Sequence, residues 1–408
     1  MPRLRSVIVA VSCVPLALMV FAGPARGGPL RALIVDGYNN HDWERTTGAI
    51  HAILTQTGRF AVDRSTAPTW GFRKGPRRPR DAGPGELARF EAAEKAYKLE
   101  ARAYARTLAP AWEAWRPPFS KYDVVVLNYN GADWPEPVRR SFTEYVRGGG
   151  GVVLVHAANN AFRNWDQFNE MIGIGWRPEG FGVCVKIDGA TGKPVRSEGF
   201  KGSGHGAKHP FTVEVRESKH PIMAGLPARW RHGRDELYHH MRGPAKNLKV
   251  LSSAYSDPKT NGTGLHEPVT WEVVYGAGRV VVTSMGHFWP GQEWYDSLHC
   301  VGFQTVLARS AEYAATGEVT IDVPDGFPSG DSVSVVPPAL VRWSINGEDS
   351  SPQVTAKGSA WQQKKSEDFF GLLEPAEAAD AMVVSEGFVA EAVVSEPMVQ
   401  EPVVVTWD

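Results

Sequence analysis

Short apolar runs alternate along this chain with polar loops, and several runs close on a residue able to do chemistry. Residues 30–35 are the first run, a predicted strand that stops at Asp36 and leads into Gly37-Tyr38-Asn39-Asn40-His41-Asp42-Trp43. Over residues 45–57, Ile50, Ile53 and Leu54 share one face at helical spacing, and Gly58 ends the predicted helix. Phe60-Ala61-Val62 reads as a second strand. Tyr122-Asp123-Val124-Val125-Val126-Leu127 reads as a buried strand that ends at Asn128. Residues 137–147 are amphipathic, and Gly148 to Gly151 then turn the chain into Val152-Val153-Leu154-Val155-His156. Strand, helix and strand at this spacing mean βαβ units and a mainly parallel sheet. The glycine run itself is neither GxGxxG nor a P-loop, so it carries no nucleotide site.

Elsewhere the period changes. Residues 181–215 alternate and are rich in glycine, which predicts an antiparallel extension. Residues 268–284 read as a hairpin about Gly276-Ala277-Gly278, and residues 299–316 as a closing helix. Residues 73–80 are basic and broken by proline. Residues 86–107, rich in Ala, Glu and Lys, predict a solvated helix, so about residues 68–120 read as an insertion. Pro337-Pro338, scattered serines and Lys364-Lys365 mark residues 329–366 as a linker. Residues 367–408 end in Pro402-Val403-Val404-Val405-Thr406-Trp407-Asp408, a β run with no partner in the chain.

Composition narrows the function classes. With 408 residues and 42% hydrophobic content, the chain can bury a large core. Its net charge of −1 gives no electrostatic footprint for nucleic acid. Arg3 and Arg5, the apolar residues 7–22 and Ala25-Arg26-Gly27 read as a signal peptide over residues 1–27. The expected location is therefore secreted or periplasmic, with no membrane span left after cleavage. Cys13 lies inside that segment, and Cys184 with Cys300 imply no disulfide framework.

In open α/β sheets ligands bind outside the carboxyl ends of the strands, where His41, His156 and His287 stand. Asp235-Glu236-Leu237-Tyr238-His239-His240 adds ionisable groups in one short stretch. Each has a plainer reading: Asp42 as a helix cap, His156 as a core histidine bonded to a carbonyl, and the 235–240 stretch as a solvated loop. His209-Pro210 and His220-Pro221 read as turn-formers. Neutral imidazole with carboxylate suits a divalent metal, zinc before others, although HExxH spacing is missing. The expected ligands are His41, His156, Glu236 and His287. The expected acid–base groups are His156, Glu236 and Asp42, and the expected substrate contacts are Asn128, Asn130, Tyr238 and Trp271.

The strand and His-Asp loop, Asp123-Val124-Val125-Val126, Leu154-Val155-His156-Ala157-Ala158, His220-Pro221-Ile222, Asp235-Glu236-Leu237-Tyr238, Pro268-Val269-Thr270-Trp271, Tyr275-Gly276-Ala277-Gly278-Arg279-Val280 and Gly286-His287 follow one another in that order. This succession resembles the trehalose-utilisation (ThuA-like) family over about residues 30–316. The resemblance implies an α/β, flavodoxin-like three-layer sandwich of the class I glutamine amidotransferase type, here with an antiparallel extension, within residues 28–328. It also implies a small-molecule sugar substrate, by hydrolysis, elimination or isomerisation of a glycoside or oxidised sugar. The rival is a non-catalytic sugar-binding or scaffold module. Amide hydrolysis ranks third, because the amidotransferase nucleophile position holds His156 and no cysteine is near it. The tail, Ser385-Glu386-Gly387-Phe388-Val389-Ala390-Glu391-Ala392-Val393, is similar to the opening of planctomycete-type membrane-bound dehydrogenase β-propellers. It implies a fused or associated propeller or redox domain.

Overall fold

The computed structural model describes residues 28–352, apart from 70, 72–74, 80 and 81. The expected signal peptide and the propeller-like tail lie outside the described residues. Along the chain come β1 (Leu30–Asp36), α1 (Trp43–Gln56), β2 (Phe60–Thr66), α2 (Pro84–Ala114), β3 (Val124–Leu127), α3 (Glu136–Arg147), β4 (Gly151–Val155) and α4 (Asp166–Ile172). Then follow β5 (Val183–Ile187), β6 (Pro194–Ser197), β7 (Gly204–His205), β8 (His209–Val215), β9 (Arg229–Asp235), β10 (Tyr238–His239) and β11 (Arg242–Gly243). β12 (Leu248–Tyr255), β13 (His266–Tyr275), β14 (Gly278–Thr283) and α5 (Val301–Thr316) complete the main domain.

A 12-stranded sheet organises these elements, with the main path β2-β1-β3-β4-β14-β13-β12-β8-β9. β1 is parallel to β2 and β3, β3 to β4, and β4 to β14. From β14 through β13, β12 and β8 to β9 every pairing is antiparallel. Side chains alternate across each strand, which sorts β1 between two cores. Ala32 and Ile34 pack with Ile50, Ile53 and Leu54 of α1 and with Val306, Leu307 and Ala311 of α5. Leu33 and Val35 pack with Val138 and Phe142 of α3 and Phe168 and Met171 of α4. Helices on both faces explain why β3 and β4 are buried at every position. This is the α/β, flavodoxin-like sandwich with an antiparallel extension.

Local chemistry sets the boundaries. Asp42 caps α1, its Oδ1 accepting from Arg45 N at 3.2 Å. Gly58, at φ +67°, lets the chain leave α1 where a Cβ would lie 2.0 Å from the Ser350 carbonyl oxygen. α2 is longer than its predicted core, at 31 residues, and it contains Pro110. None of its residues is buried, yet Trp112 near its end packs partly on the second core. Trp115, just past the helix, stacks edge-on against Trp134 at 5.4 Å. That aromatic packing carries the helix past a residue that sequence rules would have it avoid.

Residues 329–352, expected as part of a linker, behave differently. Val341 and Trp343 belong to the first core, with Trp343 only 1% exposed, and Val336 and Ile345 pack against it. Pro337 and Pro338 start a single 3-10 turn, Pro338–Leu340, rather than a free spacer. Proline there fixes a bend, and the apolar residues beyond it return to the domain. Among the described residues no helix is long and apolar enough to cross a membrane.

Candidate functional site

β1, β3, β4 and β14 are parallel neighbours, so their carboxyl ends share one edge of the sheet. His41 follows β1, His156 closes β4 and His287 follows β14. β9 is three antiparallel steps beyond β13, and therefore ends at the same edge. Asp235, its last residue, is fully buried and ties the pieces together. Its Oδ2 accepts from Gly286 N at 2.8 Å and from His232 Nε2 at 2.8 Å. Its Oδ1 accepts from Glu236 N at 2.6 Å and His287 N at 3.2 Å. One carboxylate thus fixes the backbone of Glu236 against that of His287. On the other side, Asp42 N donates to Phe288 O at 2.9 Å, which joins the His41 loop to the same place.

Three buried imidazoles and the partly exposed His205 surround the Glu236 carboxylate. Oε2 lies 3.9 Å from His41 Nε2 and 3.8 Å from His156 Nε2, and Oε1 lies 3.2 Å from His287 Nε2. The ring centroids of His41 stand 4.8 Å from His156 and 4.9 Å from His287, both edge-on. His156 sits at φ +46°, a left-handed conformation that costs a non-glycine residue energy and is held only by its surroundings. The buried Arg177 guanidinium holds the following turn, donating to Asn159 O, Asn160 O and Ala161 O at 2.8–3.1 Å.

The tautomers follow from the bonds. His156 Nδ1 is 2.6 Å from Ser284 O, a carbonyl that can only accept, so Nδ1 carries the proton and Nε2 is bare. His41 Nδ1 is 3.2 Å from Asn39 Oδ1, which likewise leaves Nε2 bare. Burial, more than the neighbouring His41, pushes the His156 pKa down to about 3. Burial also lowers that of His41, against the pull of Glu236. Both rings are therefore neutral at physiological pH. Burial alone would raise the Glu236 pKa, but contacts with His287 and His41 and the nearness of His156 hold its carboxyl well below the usual range. Asp235 is also held low, its burial outweighed by the bond to His232. Burial opposes a charge on His232, yet Cys300 and Asp235 raise its pKa to about 9.

The donor atoms of His41, His156 and Glu236 all lie within 4.8 Å of one another. They form a ligand-type triad, while His287 stands on the opposite oxygen of the carboxylate. Neither ring nitrogen of His287 has a hydrogen-bond partner; at 3.2 Å it is in close contact with Glu236 without the alignment of a hydrogen bond. A cavity of about 380 Å³ opens over the triad. Its walls include Trp176, Tyr238 and Trp289, with Asn40, Asn160, His205 and Lys208 at polar positions. Tyr238 Oη donates to His156 Nε2 at 2.9 Å. Burial and the two carboxylates Glu236 and Asp235 raise the phenol pKa well above its ordinary value, so it stays a neutral donor.

Of the expected substrate contacts only Tyr238 lines this cavity. Asn128 is buried, and its Nδ2 donates to Trp43 O at 2.9 Å and Thr47 Oγ1 at 3.0 Å, so it secures the start of α1. Asn130 stands one step back, donating to Asn40 Oδ1 at 2.7 Å. Trp271 is fully buried in the second core and donates its Nε1–H to Ile172 O at 2.8 Å. It lies on the apolar face of the Val269-Thr270-Trp271-Glu272-Val273 alternation, and helix α4 covers that face. Asp42, expected as an acid–base group, caps α1 and contacts Arg45 Nε at 3.7 Å. His220 is no mere turn-former: it is buried, with Nε2 3.1 Å from Glu272 Oε2.

Sequence reasoning missed His205, Lys208, Trp176 and Trp289. His205 and Lys208 lie in the glycine-rich stretch Gly202-Ser203-Gly204-His205-Gly206-Ala207-Lys208, inside the expected antiparallel extension, whose alternation did not point these two residues at the site. Trp289 offered the one available signal, two residues beyond His287. Neither cysteine is a nucleophile in the cavity. Cys300 is fully buried, and burial pushes the Cys184 thiol up to about 11.

The trehalose-utilisation family model (ThuA) matches residues 91–314. A solved ThuA-like protein from Parabacteroides merdae is 36% identical with a TM-score of 0.64, covering 76% of this chain and 98% of its own. Another ThuA-like protein, from Bacteroides uniformis, is 18% identical with a TM-score of 0.44, over 73% of this chain and 96% of its own. No curated protein matches the chain.

Proposed function

This chain belongs to the trehalose-utilisation (ThuA) family, and from that premise we propose that it processes a sugar in the cleft around Glu236, assisted by a divalent metal, zinc before others. One observation carries the reading. The unprotonated Nε2 atoms of His41 and His156 and the Oε2 of Glu236 converge, with the His156 nitrogen accepting from Tyr238 Oη, a bond that a cation would replace. Three electron-rich atoms facing one another in a buried site repel unless a cation stands among them. Zinc takes N and O donors at about 2.0–2.2 Å, so the three atoms, all within 4.8 Å of one another, would draw together around it. Ser284 O and Asn39 Oδ1 act on the far nitrogens, as partners of metal-bound histidines do, by fixing the tautomer.

The chain's own groups then divide the work. Glu236, which lines the cavity, is placed to take or give a proton on the substrate through Oε1, and the fully buried His287 beside that oxygen supports the carboxylate from behind. Tyr238 offers a neutral hydroxyl. Trp176 and Trp289 supply flat faces suited to a sugar ring. Hydrolysis, elimination and isomerisation all need such a proton transfer beside a polarised oxygen. Thioester-based amide hydrolysis finds no support, since His156 stands at the strand end where its nucleophile would be. The basic and apolar amino terminus supports export of the protein.

The test is elemental analysis of protein purified without chelator, with His156→Ala and Glu236→Gln beside it. Metal in the parent chain and its loss from both folded variants is the expected result. A metal-free parent chain that does not take up zinc would refute the reading.

A further inference from the structure

Beyond the triad, the cavity has an unequal charge lining. Glu236 is the acidic residue among those that line it, whereas His205 reaches in from the end of β7 and Lys208 from the β7–β8 connection. Lys208 Nζ stands 3.9 Å from Glu236 Oε1, and His205 Nε2 stands 3.6 Å from the same oxygen. Both contacts are too long for hydrogen bonds. Lys208 is held over the site by the Trp289 ring, its Nζ 5.8 Å from the centroid, a cation–π distance. The lysine side chain is 32% exposed, so its ammonium can turn toward a ligand.

On the reading above, Glu236 Oε2 faces a divalent cation. Its single negative charge is then outweighed before Lys208 is counted, and the lysine is left facing the cavity without a counter-charge. A neutral sugar cannot supply one. We propose that the cavity selects sugars that carry an oxyanion, a carboxylate or a phosphate, with Lys208 as the anion's charge partner and His205 as its hydrogen-bonding neighbour. This rests on the proposed sugar and metal reading and adds the substrate class. Lys208 and His205 flank the mouth and the triad lies at the floor, so the anion sits at the periphery of the sugar, away from the reacting atoms. The tryptophan faces then orient the ring between the two.

The experiment is calorimetric titration of the purified, zinc-supplemented full chain with glucuronate, glucose 6-phosphate and glucose, in low and in moderate salt. Lys208→Met and Lys208→Arg are run in parallel. One or both anionic sugars should bind about tenfold tighter than glucose or more, with the advantage shrinking as salt rises. Preference for glucuronate alone assigns a carboxylate, and for the phosphate alone a phosphoryl group. Lys208→Met should bring the anionic-to-neutral ratio close to unity, and Lys208→Arg should retain most of it. Glucose binding as tightly as both anionic sugars overturns the proposal while leaving the sugar reading intact. So does a preference that survives Lys208→Met. Binding of none of the three refutes the sugar reading and this inference together.

Discussion

At the residue scale the site depends on a few committed bonds. His156→Ala removes one of the proposed ligands and orphans the Ser284 carbonyl. The expected cost is on the order of 1–3 kcal/mol, read as a lowered melting temperature with the fold kept, together with loss of bound metal. Lower stability with unchanged metal would return His156 to the role of a core histidine. Asp235 is a positioning residue that acts through Glu236 and His287. Asp235→Asn leaves a buried His232 imidazolium without its carboxylate, and should cost on the order of 3–5 kcal/mol. The amide keeps one acceptor oxygen, so either Gly286 N, which bonds Oδ2, or Glu236 N and His287 N, which bond Oδ1, would also lose their acceptor.

His232 gives this a pH signature. Its folded pKa is raised to about 9 from an ordinary 6.5, so the folded state holds the proton more tightly. The resulting stability is complete below about pH 6.5 and is lost as pH rises through about 9. Melting temperatures followed across that window should fall for the parent chain and stay flatter for His232→Gln. A parent profile without that decline would show that His232 is not held protonated.

The residues legible in the sequence were those that close an element. His41, His156 and His287 each follow an apolar run whose end the pattern fixes, Glu236 stood out within the ionisable stretch 235–240, and the sheet topology gathers the ends. Asn128 follows such a run too, yet its amide is spent on Trp43 and Thr47. Position at a strand end brings a residue to the edge but does not decide which way its polar atoms face. His205 and Lys208 were illegible because a glycine-rich loop takes its path from tertiary contacts, such as Ala207 N on Thr260 O.

At the element scale, close approaches decide what can change. Gly151 begins β4 beneath α5, and a Cβ there would meet the Ala314 carbonyl carbon and oxygen at 2.4 Å. Backbone cannot yield as a flexible side chain does, so Gly151→Ala should cost about 1–3 kcal/mol by forcing α5 from the sheet. The segment beyond Pro328 is similar in kind. Trp343→Ala should cost about 3–5 kcal/mol if that segment is part of the core, and close to nothing if it is a tether. Chemical denaturation separates the two. Sequence patterning found β1, α1, β2, β3, α3, β4, the β13–β14 hairpin and α5 because each has a strong period, but it made no reading of α4, β9 or β12, and it misread residues 329–352 because prolines and serines outnumber the two apolar anchors that matter. α2 was legible as solvated, but its end was not, since the tryptophans that carry it onward act through Trp134, a residue of another segment.

At the scale of the whole molecule, a sheet parallel in one half and antiparallel in the other brings the ends of β1, β4, β14 and β9 to one edge. β9 is far from β14 along the strand order, and Asp235 closes that gap. Family membership accounts for the fold and for a link to sugar chemistry; the chemistry itself rests on the triad. The most direct test is zinc titration of chelator-stripped protein by calorimetry, in parallel for the parent chain and Glu236→Gln. Binding of about one zinc ion per parent chain and none to the folded variant is the predicted outcome, with little proton release at neutral pH because His41 and His156 are already neutral and Glu236 already ionised. Zinc binding equal in the two, or absent from the parent chain, would contradict a metal centre at His41, His156 and Glu236.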